Sequence, residues 1–377
     1  MRFRAAVLSQ APGKYEVMDL EIEEPWEDEL EVKLMAAGLC HSDDHFATGD
    51  VPLNKYPMIG GHEGAGIVTK VGGRNRKGIK EGDHVVFTYV PSCGYCRWCA
   101  SGMQNLCDLG AGLLGGARSS DPSSFRVRTP DGQQTVGQAN GISTFATHTV
   151  VSVDSAIKMD KDIPFTSACL AGCGVGTGWG SAVNMAEVKP GHTVIIMGIG
   201  GIGINAVQGA KHAGAGNIIA VDPVEFKRTK AIEFGATHAF SSIEEATEIA
   251  RQLTNGQGAD SAIVATGVLK PEHVGAAFAA TRKGSTTVVT GVGNNWTGDP
   301  GVPISLCEMT FYQKRLQGTI FGGSTPNWDI PRQLEMYKNG QLKLDELVTA
   351  TYSLDDINQG YQDMHDGKNI RGVLDLA

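Results

Sequence analysis

Long apolar runs are missing from this chain. No stretch reaches the roughly 20 residues that a membrane-crossing helix needs, so no membrane partner is expected. Met1 to Leu8 carries two arginines but lacks the apolar core of a secretory leader, which leads us to expect a protein of the cytosol. Basic runs are missing as well. The net charge is −9, with 32 Lys and Arg against 41 Asp and Glu, and this argues against nucleic acid or an anionic membrane surface as partner. A small molecule is the partner that remains.

What is present fits a globular chain. With 377 residues and 41% hydrophobic composition, the sequence is too long for one ordinary core and suits two domains. Fifty glycines lie scattered among apolar runs, which points to tight turns and close backbone approaches more than to disorder. Of eight cysteines, four crowd together at Cys93, Cys96, Cys99 and Cys107, and in a reducing compartment such clustering favours metal over disulfides.

The N-terminal part reads as mainly β. Arg4 to Leu8, Tyr15 to Leu20 and Leu30 to Met35 are expected strands, separated by Pro12-Gly13 and the acidic Glu21 to Glu29. A loop is expected to follow at Gly38-Leu39-Cys40-His41-Ser42-Asp43-Asp44-His45. There a Cys40 thiolate could bind a metal, a Ser42 hydroxyl could take a proton and His45 could pass it on. Gly60-Gly61-His62-Glu63 leads into a strand at Ile67 to Val71; if extended, His62 and Glu63 point to opposite sides, and taken alone the pair is an ordinary strand start. Two-residue gaps within Cys93, Cys96 and Cys99, with Cys107 eight positions on, suit a closed tetrahedral zinc site. An iron-sulfur run would have three residues before its last cysteine and then proline, whereas here seven intervene and Asp108 follows. Gly110 to Gly141 shows little periodicity and is expected to be a long functional loop. Cys169 and Cys173 offer two more thiols near a bend before a helix. Either could complete a site with Cys40 and His62. Trp296 and Trp328 read as packing residues.

Beyond that point strands alternate with helices. His192 to Met197 is an apolar strand, Gly198-Ile199-Gly200-Gly201-Ile202-Gly203 follows it and opens a helix, and the strand Asn217 to Val221 ends at Asp222, 19 positions after Gly203. That order marks a dinucleotide site, with the glycines letting a pyrophosphate approach a helix N-terminus. Asp222 would bond the adenosine ribose and repel a phosphate there, so NAD is preferred to NADP, a preference tempered by nearby Arg228. Strands at Asp260 to Ala265, Thr286 to Thr290 and Leu316 to Phe321 complete a doubly wound parallel sheet in an α/β chain. The last of them is a sheet edge able to pair with a second subunit.

Taken together, these stretches, with Asp222-Pro223-Val224-Glu225-Phe226-Lys227-Arg228 and the tail Leu344 to Arg371, resemble the zinc-dependent medium-chain alcohol dehydrogenases over essentially the whole chain. Within that family they are most similar to the actinobacterial nitrosodimethylaniline-dependent, nicotinoprotein type. The resemblance implies a GroES-like β domain with two zinc sites over 1–174 and 322–377, and a Rossmann domain binding NAD(H) over 175–321. It implies a catalytic zinc on Cys40, His62 and Cys173, with Cys169 not a ligand, and a structural zinc on the four clustered cysteines. By the same resemblance Asp43 orients His62, Glu63 stands beside the metal, and Ser42 and His45 form a proton relay through a ribose hydroxyl. Cofactor contacts fall to His41, Thr177, Gly198, Gly200, Gly201, Ile202, Gly203, Asp222, Lys227, Val292 and Arg371. His41 stands where many relatives carry arginine, which weakens that grip. Tyr89 and Val51 line the substrate channel.

The implied reaction interconverts alcohols with aldehydes or ketones, zinc acting as Lewis acid and hydride passing to NAD. The resemblance further suggests NAD(H) held through the cycle and recycled by an external electron acceptor or an aldehyde, and a homodimer or homotetramer. Two alternatives remain at this point: a thiol-dependent formaldehyde dehydrogenase on a similar framework, and a dinucleotide-binding protein without catalysis.

Overall fold

In the computed structural model, which describes residues 1–293 and 301–377, the chain divides into two compact units. One is Met1–Cys173 with Thr325–Ala377, the other Gly174–Ser324. Trp296 lies outside the described residues. Trp328, expected to pack, is 65% exposed.

The first unit is built on the strand Glu29–Gly38. Its Leu30, Val32 and Leu34 are fully buried at the period of two that a strand requires. It pairs antiparallel with Gly64–Val71, His148–Ser152 and the C-terminal strand Arg371–Asp375. The tail of the chain is thereby built into the N-terminal sheet. Five further strands, Arg2–Leu8, Tyr15–Ile22, Val127–Arg128, Thr135–Gln138 and Met58–Ile59, close a small barrel. Phe3, Val7, Leu20, Val85, Phe87 and Val150 share one core with the Leu30 face.

Two expectations about loops are corrected here. The stretch after Gly38 is not a loop but the helix His41–Thr48. The Gly110 to Gly141 stretch, expected to be long and open, is pinned from within. Arg118 and Arg126 are buried in it and both bond Glu29, Arg126 through Nε at 2.7 Å. The Arg118 guanidinium also lies 4.0 Å over the Trp26 ring and bonds Glu23 at 2.8 Å. Aperiodic sequence there reflects anchoring by charge instead of by an apolar stripe.

The second unit holds six parallel strands in the order 238–240, 217–221, 193–197, 259–264, 281–289, 315–318. Val194, Ile195 and Ile196 are fully buried, as expected of a central parallel strand covered on both faces. The covering helix Ile243–Leu253 begins where Ser242 Oγ accepts the Glu245 N–H at 3.3 Å, and it turns Ile243, Ala246 and Ala250 inward. Strand order reverses between 193–197 and 259–264, the crevice where open α/β sheets bind ligands. The final strand, expected to reach Phe321, stops at Gly318, and Phe321 is buried in a turn at φ 55°.

Candidate metal centres and dinucleotide site

Cys40 sits where a strand becomes a helix. Its backbone is extended (φ −115°, ψ 148°), and its carbonyl accepts the N–H groups of Asp43 at 3.2 Å and Asp44 at 3.4 Å. Asp43 and Asp44 in the first turn complement the helix dipole, and left-handed Gly49 (φ 86°) closes the other end. These signals explain the helix. They also fix the directions of Ser42, Asp43 and His45, which share its first turn and a half.

Donor atoms of Cys40, His62, Glu63 and Cys173 all lie within 4.8 Å of one another, and all four residues are buried. His62 and Glu63 reach the same place because the chain bends at His62 before the strand begins at Gly64, so the opposite-sides expectation for extended backbone does not hold. His62 Nδ1 is 2.8 Å from Asp43 Oδ2, while Asp43 Oδ1 accepts the Gly61 N–H at 2.9 Å. That pairing turns the other imidazole nitrogen toward Cys40. The Glu63 carboxylate is bonded by both Nη atoms of Arg371, and Arg371 Nη2 also donates to Leu39 O at 3.1 Å. Tyr89 meets the His62 ring edge to face at 5.5 Å. Cys169 donates instead to Thr166 O at 3.3 Å and stays out of the cluster.

Their surroundings set the two sulfurs apart. A hydrogen bond from Cys173, then the charge of His62, holds the Cys40 thiol well below its ordinary range, and the same bond pushes Cys173 well above it. Burial would lower His62, but Asp43 and Cys40 outweigh it and raise it well above its usual value. Burial pushes the Glu63 carboxyl up against the pull of Arg371. Two thiols competing for one proton beside an imidazole and a buried carboxylate suit a divalent soft or borderline cation, which favours the thiolate form of both. The residues fit zinc.

A second group, Cys93, Cys96, Cys99 and Cys107, is equally tight: all four sulfurs lie within 4.8 Å of one another. Backbone N–H groups of Cys96 and Cys99 point at the sulfurs of Cys93 and Cys96, both at 3.4 Å, and the bond from Cys99 draws the Cys96 thiol down to about 6. Four sulfurs with no fifth donor in the group make a closed structural site.

In the second unit Gly198 stands at φ 89°, and a Cβ there would come within 2.8 Å of the Ala265 carbonyl; a Cβ at Gly203 would lie 1.8 Å from Gly198 O. Nothing lies within 4 Å of a Cβ position at Gly200, the open side on which a pyrophosphate fits at the start of the helix Gly201–His212. Asp222 is buried, with Oδ2 accepting from Ile199 N at 2.8 Å and Oδ1 from Val224 N at 2.9 Å. Arg228 turns its Nη1 to the carbonyls of Asp222 and Pro223 at 2.9 and 2.8 Å, so it is not offered to a ribose phosphate.

The sequence matches two family models, "Alcohol dehydrogenase GroES-like domain" over residues 26–161 and "Zinc-binding dehydrogenase" over 201–338. It is 48% identical over 374 residues to an NDMA-dependent alcohol dehydrogenase of Amycolatopsis methanolica, covering 99% of both chains. It is 46% identical to alcohol dehydrogenase B of Mycobacterium tuberculosis, covering 99% of this chain and 98% of that one. Among solved structures, an alcohol dehydrogenase zinc-binding domain protein from Burkholderia ambifaria superposes with a TM-score of 0.92 at 32% identity, covering 100% of this chain and 99% of the other. The chain belongs to the zinc-binding alcohol dehydrogenases.

As such it is an oxidoreductase that uses zinc and NAD(H), and its first unit carries both metal-ligand sets. Around the Cys40 set of this alcohol dehydrogenase, Ser42 Oγ lies 3.7 Å from Cys40 Sγ. His45 is buried with Nδ1 3.0 Å from Asp50 Oδ2. His41 packs 5.0 Å from the His45 ring and 3.5 Å from Asp44, which in turn pairs with His365 at 2.8 Å. Thr177 is buried on the helix Gly174–Gly180, Ile202 opens the helix after the glycine turn, and Lys227 is half-buried on the helix Glu225–Phe234. Val292 lies three residues past the strand Thr281–Val289, its carbonyl accepting from Leu269 N at 3.0 Å. Val51 is buried, its N–H donating to His45 O at 3.1 Å. Sequence reading passed over Asp44, Asp50 and His365. Asp44 was visible in the stretch already singled out and Asp50 lies five positions past it, whereas His365 is 321 positions from its partner and gave no signal. No helix among the described residues is long and apolar enough to cross a membrane.

Proposed function

We propose that this alcohol dehydrogenase binds its catalytic zinc through Cys40, His62 and Cys173, with Glu63 held beside the ion by Arg371. The observation that carries this reading is the convergence of those four buried donor groups within 4.8 Å. Zinc bound there supplies the Lewis acidity that lets an alcohol lose its proton near neutral pH, and NAD supplies the hydride acceptor. Ser42 Oγ, close to the Cys40 sulfur, takes that proton and hands on its own, and His45 holds it at the outer end. Asp43 keeps His62 oriented. The Gly198 to Gly203 turn and Asp222 hold the dinucleotide, with His41, Thr177, Lys227, Val292 and Arg371 as further cofactor contacts. Asp222 and the turned-away Arg228 favour NAD over NADP.

The reading extends to retention of the cofactor: NAD(H) stays bound between turnovers, an external acceptor or an aldehyde recycles it, and the enzyme works in the cytosol as a homo-oligomer. The NDMA dependence of the Amycolatopsis methanolica relative supports recycling by an external acceptor. The test is the protein as purified, assayed on a panel of alcohols with and without an artificial electron acceptor, alongside a thiol adduct of formaldehyde. Reduced-nicotinamide absorbance that survives gel filtration, with alcohol turnover that needs the acceptor, is the expected result. Activity restored only by free NAD would end the retention reading. Turnover of the thiol adduct alone would replace the alcohol reading with a thiol-dependent formaldehyde dehydrogenase.

A further inference from the structure

His45 is 2% exposed, and Asp50 holds its ring at Nδ1. Nδ1 lies 3.0 Å from Asp50 Oδ2, and the same oxygen accepts the Thr48 hydroxyl at 2.8 Å. Gly49, left-handed, and Val51 both donate their N–H groups to His45 O at 3.1 Å, so the turn carrying Asp50 is fastened to the residue it contacts. The Asp50 side chain is 27% exposed, and its hydrogen bond to His45 holds the carboxyl below the ordinary range. Asp50 is therefore ionised where alcohols are oxidised.

An ionised carboxylate only accepts hydrogen bonds, so Nδ1 of the neutral ring carries the proton and the lone pair lies on Nε2. We infer that Asp50 is a positioning residue for the proton transfer: it fixes His45 in the Nδ1–H tautomer and stabilises the imidazolium formed when Nε2 takes up the proton. Asp50 takes no proton itself. The imidazolium returns to neutral by giving the Nε2 proton to water, so each alcohol oxidised releases one proton by this route. The inference rests on the relay reading of Ser42 and His45. Other titratable groups near His45 are His41, with its ring 5.0 Å away, and Asp44, which bridges His41 and His365. All three stay unchanged in the variants below.

The experiment uses the holoenzyme and its Asp50→Asn, Asp50→Glu, His45→Gln and double His45→Gln/Asp50→Asn forms. Long-range proton–nitrogen correlation spectra of histidine-labelled protein read the His45 tautomer directly. Nδ1–H is expected in the native and Asp50→Glu proteins, with that preference lost in Asp50→Asn. Turnover at the pH plateau is expected to fall about 10²-fold in Asp50→Asn, the lower end of what positioned proton transfer contributes, and to recover largely in Asp50→Glu. The acid limb of kcat should move to lower pH in Asp50→Asn, because an amide does not stabilise imidazolium; a merely structural loss would lower the plateau without moving the limb. The double variant should be no slower than His45→Gln. A native protein found as the Nε2–H tautomer overturns the inference without any variant having to fold. So does normal turnover in Asp50→Asn alongside slow His45→Gln. Normal turnover in His45→Gln instead removes the relay reading beneath it.

Discussion

Two neighbours on one helical turn, Ser42 and Asp43, face different tasks and should fail differently. Ser42 Oγ is 3.7 Å from the Cys40 sulfur and is assigned the proton, not the ion. Ser42→Ala is expected to lower kcat by about 10²-fold while zinc content measured by elemental analysis stays at two per chain. Asp43 Oδ2 is 2.8 Å from His62 Nδ1 and orients that ligand. Asp43→Asn is expected to weaken binding of the catalytic zinc by roughly 10–100-fold in chelator competition, leaving the four-cysteine site loaded. Equal zinc affinity in the two variants would remove the orienting role. At this scale the sequence was readable wherever residues are neighbours: the four clustered cysteines and the glycine turn announce themselves by spacing. Spacing says nothing about Arg371 and Glu63, 308 positions apart and bound guanidinium to carboxylate, or about which of Cys169 and Cys173 turns toward Cys40. Resemblance supplied the choice of Cys173, while the Arg371–Glu63 pair, with Arg371 expected only as a cofactor contact, is seen only in the fold.

Among the elements, the stretch from Gly110 to Gly141 teaches most. Its composition reads as a loose loop, because glycine and serine signal turns and no period marks a buried face. Two arginines drawn onto one carboxylate replace that face: Glu29, at the start of the central strand, bonds both Arg118 and Arg126, and all three are buried. Buried arginine cannot be told from surface arginine by composition. The helix His41–Thr48 differs in kind, since Asp43, Asp44 and Gly49 are ordinary helix signals lying within a stretch rich in reactive side chains. Glu29→Gln would leave two guanidinium groups facing each other in the interior. Breaking such a pair from one side costs about 3–5 kcal/mol, so the urea midpoint should fall clearly. Burial raises the Glu29 carboxyl, but Arg126 and Arg118 outweigh it and hold it below the ordinary value of 4.5. A lowered folded value means stability that is present above the unfolded value and drains away as pH falls through the folded one. Native protein should therefore lose stability below about pH 4.5, and Glu29→Gln should lack that part of the acid dependence. Parallel acid curves for the two proteins would show that Glu29 does not anchor this stretch.

At the scale of the whole molecule, one of the two edges of the six-stranded sheet is set apart by the side chains that flank it. Arg315–Gly318 ends that sheet with Arg315, Gln317 and Gly318 exposed. The helix Leu306–Phe311 before it leaves Leu306 72% and Phe311 80% exposed, and Tyr312 and Ile320 are also open to solvent. Scattered apolar side chains on a surface need no explanation. Four of them between positions 306 and 320, on either side of a strand with no outer partner among the described residues, do, since an open edge with apolar flanks invites pairing with another chain. A second copy presenting the same edge would extend the sheet across a twofold axis and cover both sets of side chains at once. Sedimentation equilibrium at micromolar concentration should give the native protein a mass of at least twice 39.8 kDa. Leu306→Asp/Phe311→Asp should lower it toward a single chain, with circular dichroism and the zinc content unchanged because neither residue is part of a core. A native protein that sediments as one chain, or a double variant that keeps its full assembly, would place the subunit contact elsewhere and leave this edge to solvent.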